Sequence, residues 1–160
     1  MENKALRLDI GFGGVKYAPE YIGVDPYFEG AEVKAFADKL PYKDNSVDEI
    51  YCSHVLEHVA KLEVIPTLKE WHRVLKPQGK LILRVPDLVW CCERWLKYQT
   101  TGWEMDIIFG NQGREGEFHK TGFNKGIMMN YLKESGFICE RYEEIETHSQ
   151  KTLSFECKKI

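Results

Sequence analysis

Apolar segments of strand length alternate with amphipathic segments along most of the chain. Runs rich in apolar and β-branched residues occupy residues 5–10, 21–25, 33–36, Val47–Ser53 and 81–85. Other segments repeat apolar residues every three or four positions, which is the spacing of one helix face. This alternation predicts an α/β fold with a mainly parallel sheet.

Three helices are predicted from apolar spacing and capping residues. One face of the first carries Leu62, Ile65, Leu68, Trp71 and Leu75. Pro66 is compatible with the first turn of a helix, so the regular helix is predicted to begin near it. Asp87 is the predicted N-cap of a second helix, and Asn124 caps a last helix that Gly136 ends. Residues 76–79 (KPQG) have proline second and glycine fourth, as in a type I turn.

The C-terminal part of the chain follows a different pattern. Residues 137–142 and 152–158 are predicted to be antiparallel strands, since apolar and polar residues alternate in the second. Residues 100–123 contain glycines at positions 102, 110, 113, 116 and 122. A segment of this length is typical of a lid or a binding loop, or of disorder. We therefore predict one domain, residues 1–160, in which 100–123 form a lid or an acceptor-binding segment.

Composition narrows the classes of function. The chain has 160 residues, of which 29% are charged, and a net charge of -3, as in ordinary soluble domains. Because no basic half or acidic tail is present, no nucleic-acid partner is expected. No apolar run is long enough for a membrane span and the N-terminus lacks a signal-peptide pattern, so we expect a cytoplasmic protein. The five cysteines include no C-x-x-C pair and are expected to be reduced.

A glycine-rich turn, residues 9–14 (DIGFGG), follows the first predicted strand. Glycine lets a ligand approach the main chain, although an isolated G-x-G is equally often only a tight turn. Lys16 stands where a dinucleotide fingerprint requires its third glycine. The connection 11–20 leaves room for about one helical turn, which supplies little dipole for a pyrophosphate. A cofactor without phosphate is favoured, with Asp25 accepting hydrogen bonds from a ribose.

Five stretches form an ordered series: residues 8–14 (LDIGFGG), 22–25 (IGVD), 37–48 (ADKLPYKDNSVD), 53–59 (SHVLEHV) and 73–81 (RVLKPQGKL). In this order and spacing they resemble the class I S-adenosylmethionine-dependent methyltransferases, in the group of small domains with a leucine-glutamate-histidine motif. The resemblance implies a Rossmann-like fold: an open, twisted, mostly parallel sheet with helices on both faces and an antiparallel C-terminal strand pair. Almost nothing precedes Ala5, so the first helices are expected to be truncated.

The resemblance also implies S-adenosylmethionine as cofactor and a set of cofactor-binding residues. These are Asp9, Gly11, Gly13, Asp25, Pro26, Asp38, Lys39, Leu40, Ser53 and His54. The first three would lie at the methionine end, and Asp25 would hold the ribose. Asp38 would accept a hydrogen bond from the adenine amino group, with the backbone of the next two residues beside the ring. The last two would face the cofactor after the fourth strand.

The segment His54-Val55-Leu56-Glu57-His58 also matches the H-x-x-E-H signature, in which two histidines on a helix hold zinc. No third ligand is apparent from the sequence, so no metal is predicted. A hydroxyl acceptor would need a base. His119, in the glycine-rich segment, and His58 are the candidates, and an exposed loop histidine is the alternative interpretation of His119.

The predicted reaction is methyl transfer to oxygen or nitrogen of a small-molecule or saccharide acceptor. The saccharide part rests on analogy with similar proteins. A binding module that holds S-adenosylmethionine without catalysis is one alternative. A nicotinamide-dependent oxidoreductase is another, disfavoured by Lys16 and the short connection. A zinc hydrolase is the third.

Overall fold

The computed structural model describes residues 5–99, 103–147 and 149–160, and a six-stranded sheet forms its centre. The strands are β1 (Arg7–Ile10), β2 (Ile22–Val24), β3 (Val47–Ser53), β4 (Leu75–Pro86), β5 (Phe137–Glu146) and β6 (Lys151–Lys159). The α-helices are α1 (Val64–Val74), α2 (Leu88–Tyr98), α3 (Trp103–Phe109) and α4 (Lys125–Glu134). Two short 3-10 helices lie at Leu56–His58 and Lys61–Glu63.

The strand order is β2-β1-β3-β4-β6-β5, with β2 and β5 at the edges. The first four strands are parallel, and β6 pairs antiparallel with both β4 and β5. A short connection, 147–150, joins β5 to β6, and connections of this length join antiparallel neighbours. The predicted Rossmann-like sheet with an antiparallel C-terminal pair is confirmed.

The predicted helix boundaries agree with the capping residues. The Asp87 carboxylate accepts a hydrogen bond from the Val89 amide (3.1 Å), and the Asn124 side chain accepts one from the Ile127 amide (2.9 Å). Gly136, which follows the C-cap residue Ser135 of α4, has a φ of 86°, the left-handed conformation common at helix ends. All five cysteines are free thiols. In the described residues, no helix is both long and apolar enough to cross a membrane.

The main core lies on one face of the sheet. Alternate residues of the central strands are fully buried there, for example Leu8, Ile50 and Leu81. Against them pack side chains of two helices, which include Leu68 and Trp71 of α1 and Met128 and Leu132 of α4. The cavity described below lies above this core, where the parallel strands end.

The opposite face of the sheet carries a second, smaller apolar cluster. It consists of Tyr21, Tyr51 and Ile82, with Ala18 packed against it, and Tyr17 stacks on Tyr51 with a centroid distance of 4.0 Å. Within the described chain, this cluster contains no helical residue. The connection 11–20 is too short for a regular helix, and the connection from β2 to β3 is interrupted by prolines and glycine. The expected truncation of the first helices is therefore more complete than the sequence indicated.

Two local predictions differ from the structure. Residues 33–36 are predicted to form a strand, but only the isolated bridge between Val24 and Val33 forms, and Ala35 and Phe36 line the cavity. The prediction of a type I turn at 76–79 is wrong. Gln78 has a φ of 63°, and a positive φ at the third position belongs to a type II turn.

An ion-pair network fixes the loop between Asp38 and Asp44. Glu70 Oε1 accepts hydrogen bonds from the Leu40 amide (2.8 Å) and from Arg73 Nη2 (2.7 Å). The guanidinium of Arg73 also donates to Asp44 Oδ1 (2.6 Å). Helix α1 therefore holds the loop that carries Asp38 in place.

Glu70→Gln should make the free energy of unfolding fall less steeply as the pH is lowered into the acid range. Because the Arg73 guanidinium hydrogen-bonds to Glu70 and lowers its pKa, the folded protein binds this proton less readily than the unfolded chain. The resulting stabilisation is complete above the ordinary glutamate pKa of about 4.3 and is lost as the pH falls through the lower folded-state pKa. Urea unfolding at a series of acidic pH values measures the slope. Glu29→Gln, at an exposed acid, is the control, and an equal effect there would contradict the assignment to Glu70.

Candidate active site

A cavity of about 500 Å³ opens at the carboxyl ends of β1, β2 and β3. Open α/β sheets bind ligands at this edge. Most of the predicted cofactor-binding residues line this cavity, namely Gly11, Gly13, Asp25, Pro26, Asp38 and His54, and the predicted base His58 lines it too. Among the other predicted residues, all in the described part of the chain, Asp9, Lys39, Leu40, Ser53 and His119 do not line it.

The glycine turn after β1 brings bare backbone to the cavity. Gly11 has a φ of 69°, and a Cβ there would lie 2.2 Å from Val55 Cγ2, so no side chain fits. Gly13 has a φ of 57°, and a Cβ there would come no closer than 3.9 Å to its nearest neighbour, the Gly11 carbonyl oxygen. The space beside Gly13 is therefore open to a ligand.

Asp9 hydrogen-bonds to the backbone that follows this glycine turn. It is 2% exposed, and its Oδ2 accepts a hydrogen bond from the Tyr17 amide at 2.7 Å. Burial raises the pKa of its carboxyl group. In this structure Asp9 positions the connection 11–20, whereas the sequence prediction placed it against the cofactor.

Asp25 organises the turn after β2 and faces the cavity. Its Oδ1 accepts hydrogen bonds from the Tyr27 and Phe28 amides, both at 2.8 Å. Its Oδ2 accepts only a long bond of 3.4 Å, from the Gly13 amide. A carboxylate oxygen can accept more than one hydrogen bond, so Oδ2 has capacity left for a ligand.

Aromatic side chains form one wall of the cavity, which the sequence analysis missed. Tyr27, Phe28 and Phe36 all line it and are 50%, 41% and 56% exposed. The signal in the sequence that could have predicted this wall is the aromatic pair Tyr27-Phe28, which directly follows Asp25-Pro26. Exposed rings beside Asp38 suit a flat, apolar ligand group.

The backbone amides of the two residues after Asp38 donate hydrogen bonds within the protein. The Lys39 amide donates to the Phe36 carbonyl (3.1 Å), and the Leu40 amide donates to Glu70 (2.8 Å). Leu40 is also buried, at 4% exposed. The structure thus brings Asp38 to the cavity and turns the predicted Lys39 and Leu40 amides toward the protein.

His54 follows β3 in an uncommon conformation. Its φ is 56°, and left-handed backbone at a residue other than glycine is concentrated at functional sites. His54 Nδ1 lies 3.2 Å from Glu57 Oε1, and Nε2 lies 3.3 Å from Thr152 Oγ1. Since His54 precedes the 3-10 helix Leu56–His58, the helical histidine pair that the H-x-x-E-H signature requires is not formed.

His58 and His119 lie side by side, with ring centroids 4.7 Å apart and planes at 78°. His58 Nδ1 donates to the Phe118 carbonyl (3.2 Å), and His119 Nδ1 donates to the Ile107 carbonyl (2.6 Å). Burial lowers the pKa of His119. Of the two predicted bases, only His58 reaches the cavity, and their catalytic role stays a prediction.

Residues 110–122, which we call the covering loop, lie against the cavity. Arg114, Glu115, Gly116, Glu117 and Lys120 line it. A Cβ at Gly116 would lie 2.8 Å from the Tyr27 ring, and the Lys120 and Thr121 amides both donate to the Glu57 carbonyl. The predicted lid segment thus contains helix α3 followed by this loop, while its residues 100–102 lie outside the described residues. Opening and closing of the loop stays a prediction.

The sequence of the chain is similar to those of known proteins. A family model described as "Methyltransferase domain" matches residues 4–83. An uncharacterised methyltransferase of Schizosaccharomyces pombe is 37% identical over 95 residues, which cover 48% of this chain and 37% of that protein. The chain spans only 19% to 40% of the length of the curated relatives it matches.

Two solved structures show the same fold. A crystal structure of an S-adenosylmethionine-dependent methyltransferase from Methanosarcina mazei has a TM-score of 0.71 at 20% identity and covers 99% of this chain and 94% of that chain. The 1,6-didemethyltoxoflavin N1-methyltransferase of Burkholderia thailandensis, solved with 1,6-didemethyltoxoflavin and S-adenosylhomocysteine, has a TM-score of 0.70 at 15% identity, with coverages of 98% and 72%. Since the family model matches half of the chain and the fold agrees, the chain belongs to the methyltransferase-domain family of class I S-adenosylmethionine-dependent methyltransferases.

Proposed function

We propose that the protein transfers the methyl group of S-adenosylmethionine to an oxygen or nitrogen atom of a small-molecule or sugar-like acceptor. The observation that carries this proposal is the joint placement of the Gly13 backbone and the Asp25 carboxylate in one cavity at the ends of β1 and β2. When bound, S-adenosylmethionine supplies a methyl group already activated on its sulfonium. The protein therefore has to bind, orient and exclude water.

The residues present fit this cofactor. Asp25 Oδ2 is available for ribose hydroxyls, and Asp38 for an adenine amino group, beside the exposed ring of Phe36. A dinucleotide fits less well, because residues 11–20 contain no helix whose N-terminus would hold a pyrophosphate. This supports S-adenosylmethionine over a nicotinamide cofactor.

The acceptor is proposed to lie against the wall formed by His54, His58 and the covering loop. This wall carries imidazoles, the Lys120 ammonium and the Glu117 carboxylate, which suit a polar acceptor. The cavity volume is within the range of about 300–1,000 Å³ found for small-molecule sites. Holding the acceptor in line with the methyl group in a site shielded from water is the main contribution that these residues would make. The similar Burkholderia thailandensis protein was solved with the small molecule 1,6-didemethyltoxoflavin bound, which supports a small-molecule acceptor.

Isothermal titration calorimetry should show tighter binding of S-adenosylmethionine or S-adenosylhomocysteine than of NAD+, because the site offers a carboxylate for ribose and no helix terminus for pyrophosphate. A screen of hydroxyl and amine acceptors, followed by release of S-adenosylhomocysteine, then tests turnover. Tighter binding of NAD+ would overturn the cofactor assignment. Binding without turnover on any acceptor would instead favour the alternative of a binding module.

A further inference from the structure

A small void of about 10 Å³ is lined by residues 57, 86, 88, 107–108, 119 and 121–123. A void of this volume holds about one water-sized particle. Three polar side chains, Glu57, His119 and Thr121, line it among mostly apolar residues such as Leu88 and Phe123. The proposed methyl transfer leaves this void without a role.

In the described residues, no hydrogen bond satisfies the carboxylate of Glu57. Glu57 is 2% exposed, and no donor in the described residues is aligned to hydrogen-bond to either of its oxygens. His54 Nδ1 lies 3.2 Å from Oε1, but the contact is not aligned as a hydrogen bond. A buried carboxylate without such bonds is strongly unfavourable unless a cation or a proton neutralises it.

Two imidazoles complete a set of possible metal ligands around this carboxylate. One ligand atom each from Glu57, His58 and His119 lies within 4.8 Å of the other two. Three ligands around a zinc ion lie roughly 3.4 Å apart, given bond lengths of about 2.0–2.1 Å. Small side-chain movements would therefore bring these atoms to bonding distance.

Backbone carbonyls fix the tautomer of both imidazoles. The Phe118 and Ile107 carbonyls can only accept, so the Nδ1 atoms of His58 and His119 carry the hydrogens. The lone pair of each neutral ring is then on Nε2. Histidines that bind metals show this pattern, in which the second ring nitrogen donates to a carbonyl or carboxylate.

We propose that Glu57, His58 and His119 bind one divalent transition-metal ion of the zinc class. Two imidazoles with one carboxylate suit zinc, cobalt or iron, whereas magnesium and calcium prefer oxygen ligands. Because His58 also lines the main cavity, the remaining coordination position is open to water or to the acceptor's oxygen or nitrogen atom. This gives His119 a role that needs no contact with the acceptor. Ion binding itself does not depend on the proposed methyl transfer.

The test is direct measurement of metal binding by the intact chain. Protein dialysed against a chelator should bind one equivalent of Zn²⁺ by calorimetry, with a rise in Tm, and Co²⁺ should give a visible absorption band that Zn²⁺ removes. Glu57→Gln and His119→Gln should each weaken Zn²⁺ binding by about 100-fold or more, since each removes a ligand. His72→Gln, at a histidine whose ring lies near the Ile160 carbonyl, is the matched control and should leave binding unchanged.

The stability of the metal-free variants separates ligand loss from misfolding. Metal-free Glu57→Gln should unfold in one cooperative transition like the metal-free parent, because the amide keeps the size and shape of the carboxylate side chain. Absence of Zn²⁺ binding by the parent chain would overturn the proposal, and so would equal binding by the parent and folded Glu57→Gln. Either result would leave binding of S-adenosylmethionine, measured separately, as the test of the proposed function.

Discussion

Asp25→Ala should weaken S-adenosylmethionine binding by about 10²- to 10⁴-fold. Two ribose hydroxyls donating to this carboxylate would each contribute about 1.5–3 kcal/mol, and about 1.4 kcal/mol corresponds to a factor of ten. The same change also removes the acceptor for the Tyr27 and Phe28 amides, which hold the turn beside the cavity. Calorimetry with S-adenosylmethionine and S-adenosylhomocysteine measures the loss.

A conservative variant separates the charge from the turn. Asp25→Asn keeps an Oδ1 acceptor for both amides, but it removes the charge and replaces the Oδ2 acceptor with an NH2 donor. It should therefore weaken the ribose contacts while leaving the turn intact, and its loss of affinity should not exceed that of Asp25→Ala. Asp106→Asn changes an exposed acid of α3, away from the cavity lining, and serves as the control. If folded Asp25→Ala kept the parent's affinity, the ribose would have to bind elsewhere.

Trp71→Ala should lower the free energy of unfolding by about 3–5 kcal/mol, the usual cost of removing a large aromatic side chain from a core. Trp71 is 0% exposed and belongs to the main core. Its Nε1 also donates to the Ala37 carbonyl at 2.8 Å, directly before Asp38. Urea unfolding measures the change, and Trp95→Ala, at a tryptophan that is 39% exposed, should cost clearly less.

Trp71→Phe isolates the hydrogen bond from the packing. It keeps an aromatic ring in the core but leaves the Ala37 carbonyl without this donor, which should cost about 1–3 kcal/mol. Because Ala37 and Asp38 line the cavity, cofactor affinity should also fall, although Trp71 itself does not line it. Unchanged stability in both Trp71 variants would contradict the assigned packing.

Periodicity and capping predicted much of the fold because these signals are local. The strand Val47–Ser53 has the predicted bounds, and Asp87 and Asn124 cap the predicted helices. Residues 33–36 have strand-like composition, yet a strand needs a partner along its whole length, and only Val33 makes a bridge. The composition of a segment does not show whether a neighbouring strand is available to pair with it.

The candidate site was only partly predictable for a similar reason. Glycine turns and a carboxylate after a strand are local features, so the sequence pointed to Gly11, Gly13 and Asp25, and these three residues line the cavity. The approach of His119 to Glu57 depends on the covering loop folding back over a turn that is distant in sequence, and Glu57 binds that loop through its backbone carbonyl. Nothing in the spacing of these residues encodes that contact.

The edge strand β5 bears on association between copies of the chain. It is ten residues long and has β6 as its neighbour on one side, so its other side presents backbone groups that can pair with a further strand. Most of its exposed positions are charged, and Glu140, Glu143, Glu144 and Glu146 make it predominantly acidic. Two such strands brought together would place carboxylates opposite one another, which is unfavourable. The sequence of β5 therefore protects the sheet against extension from one molecule to the next.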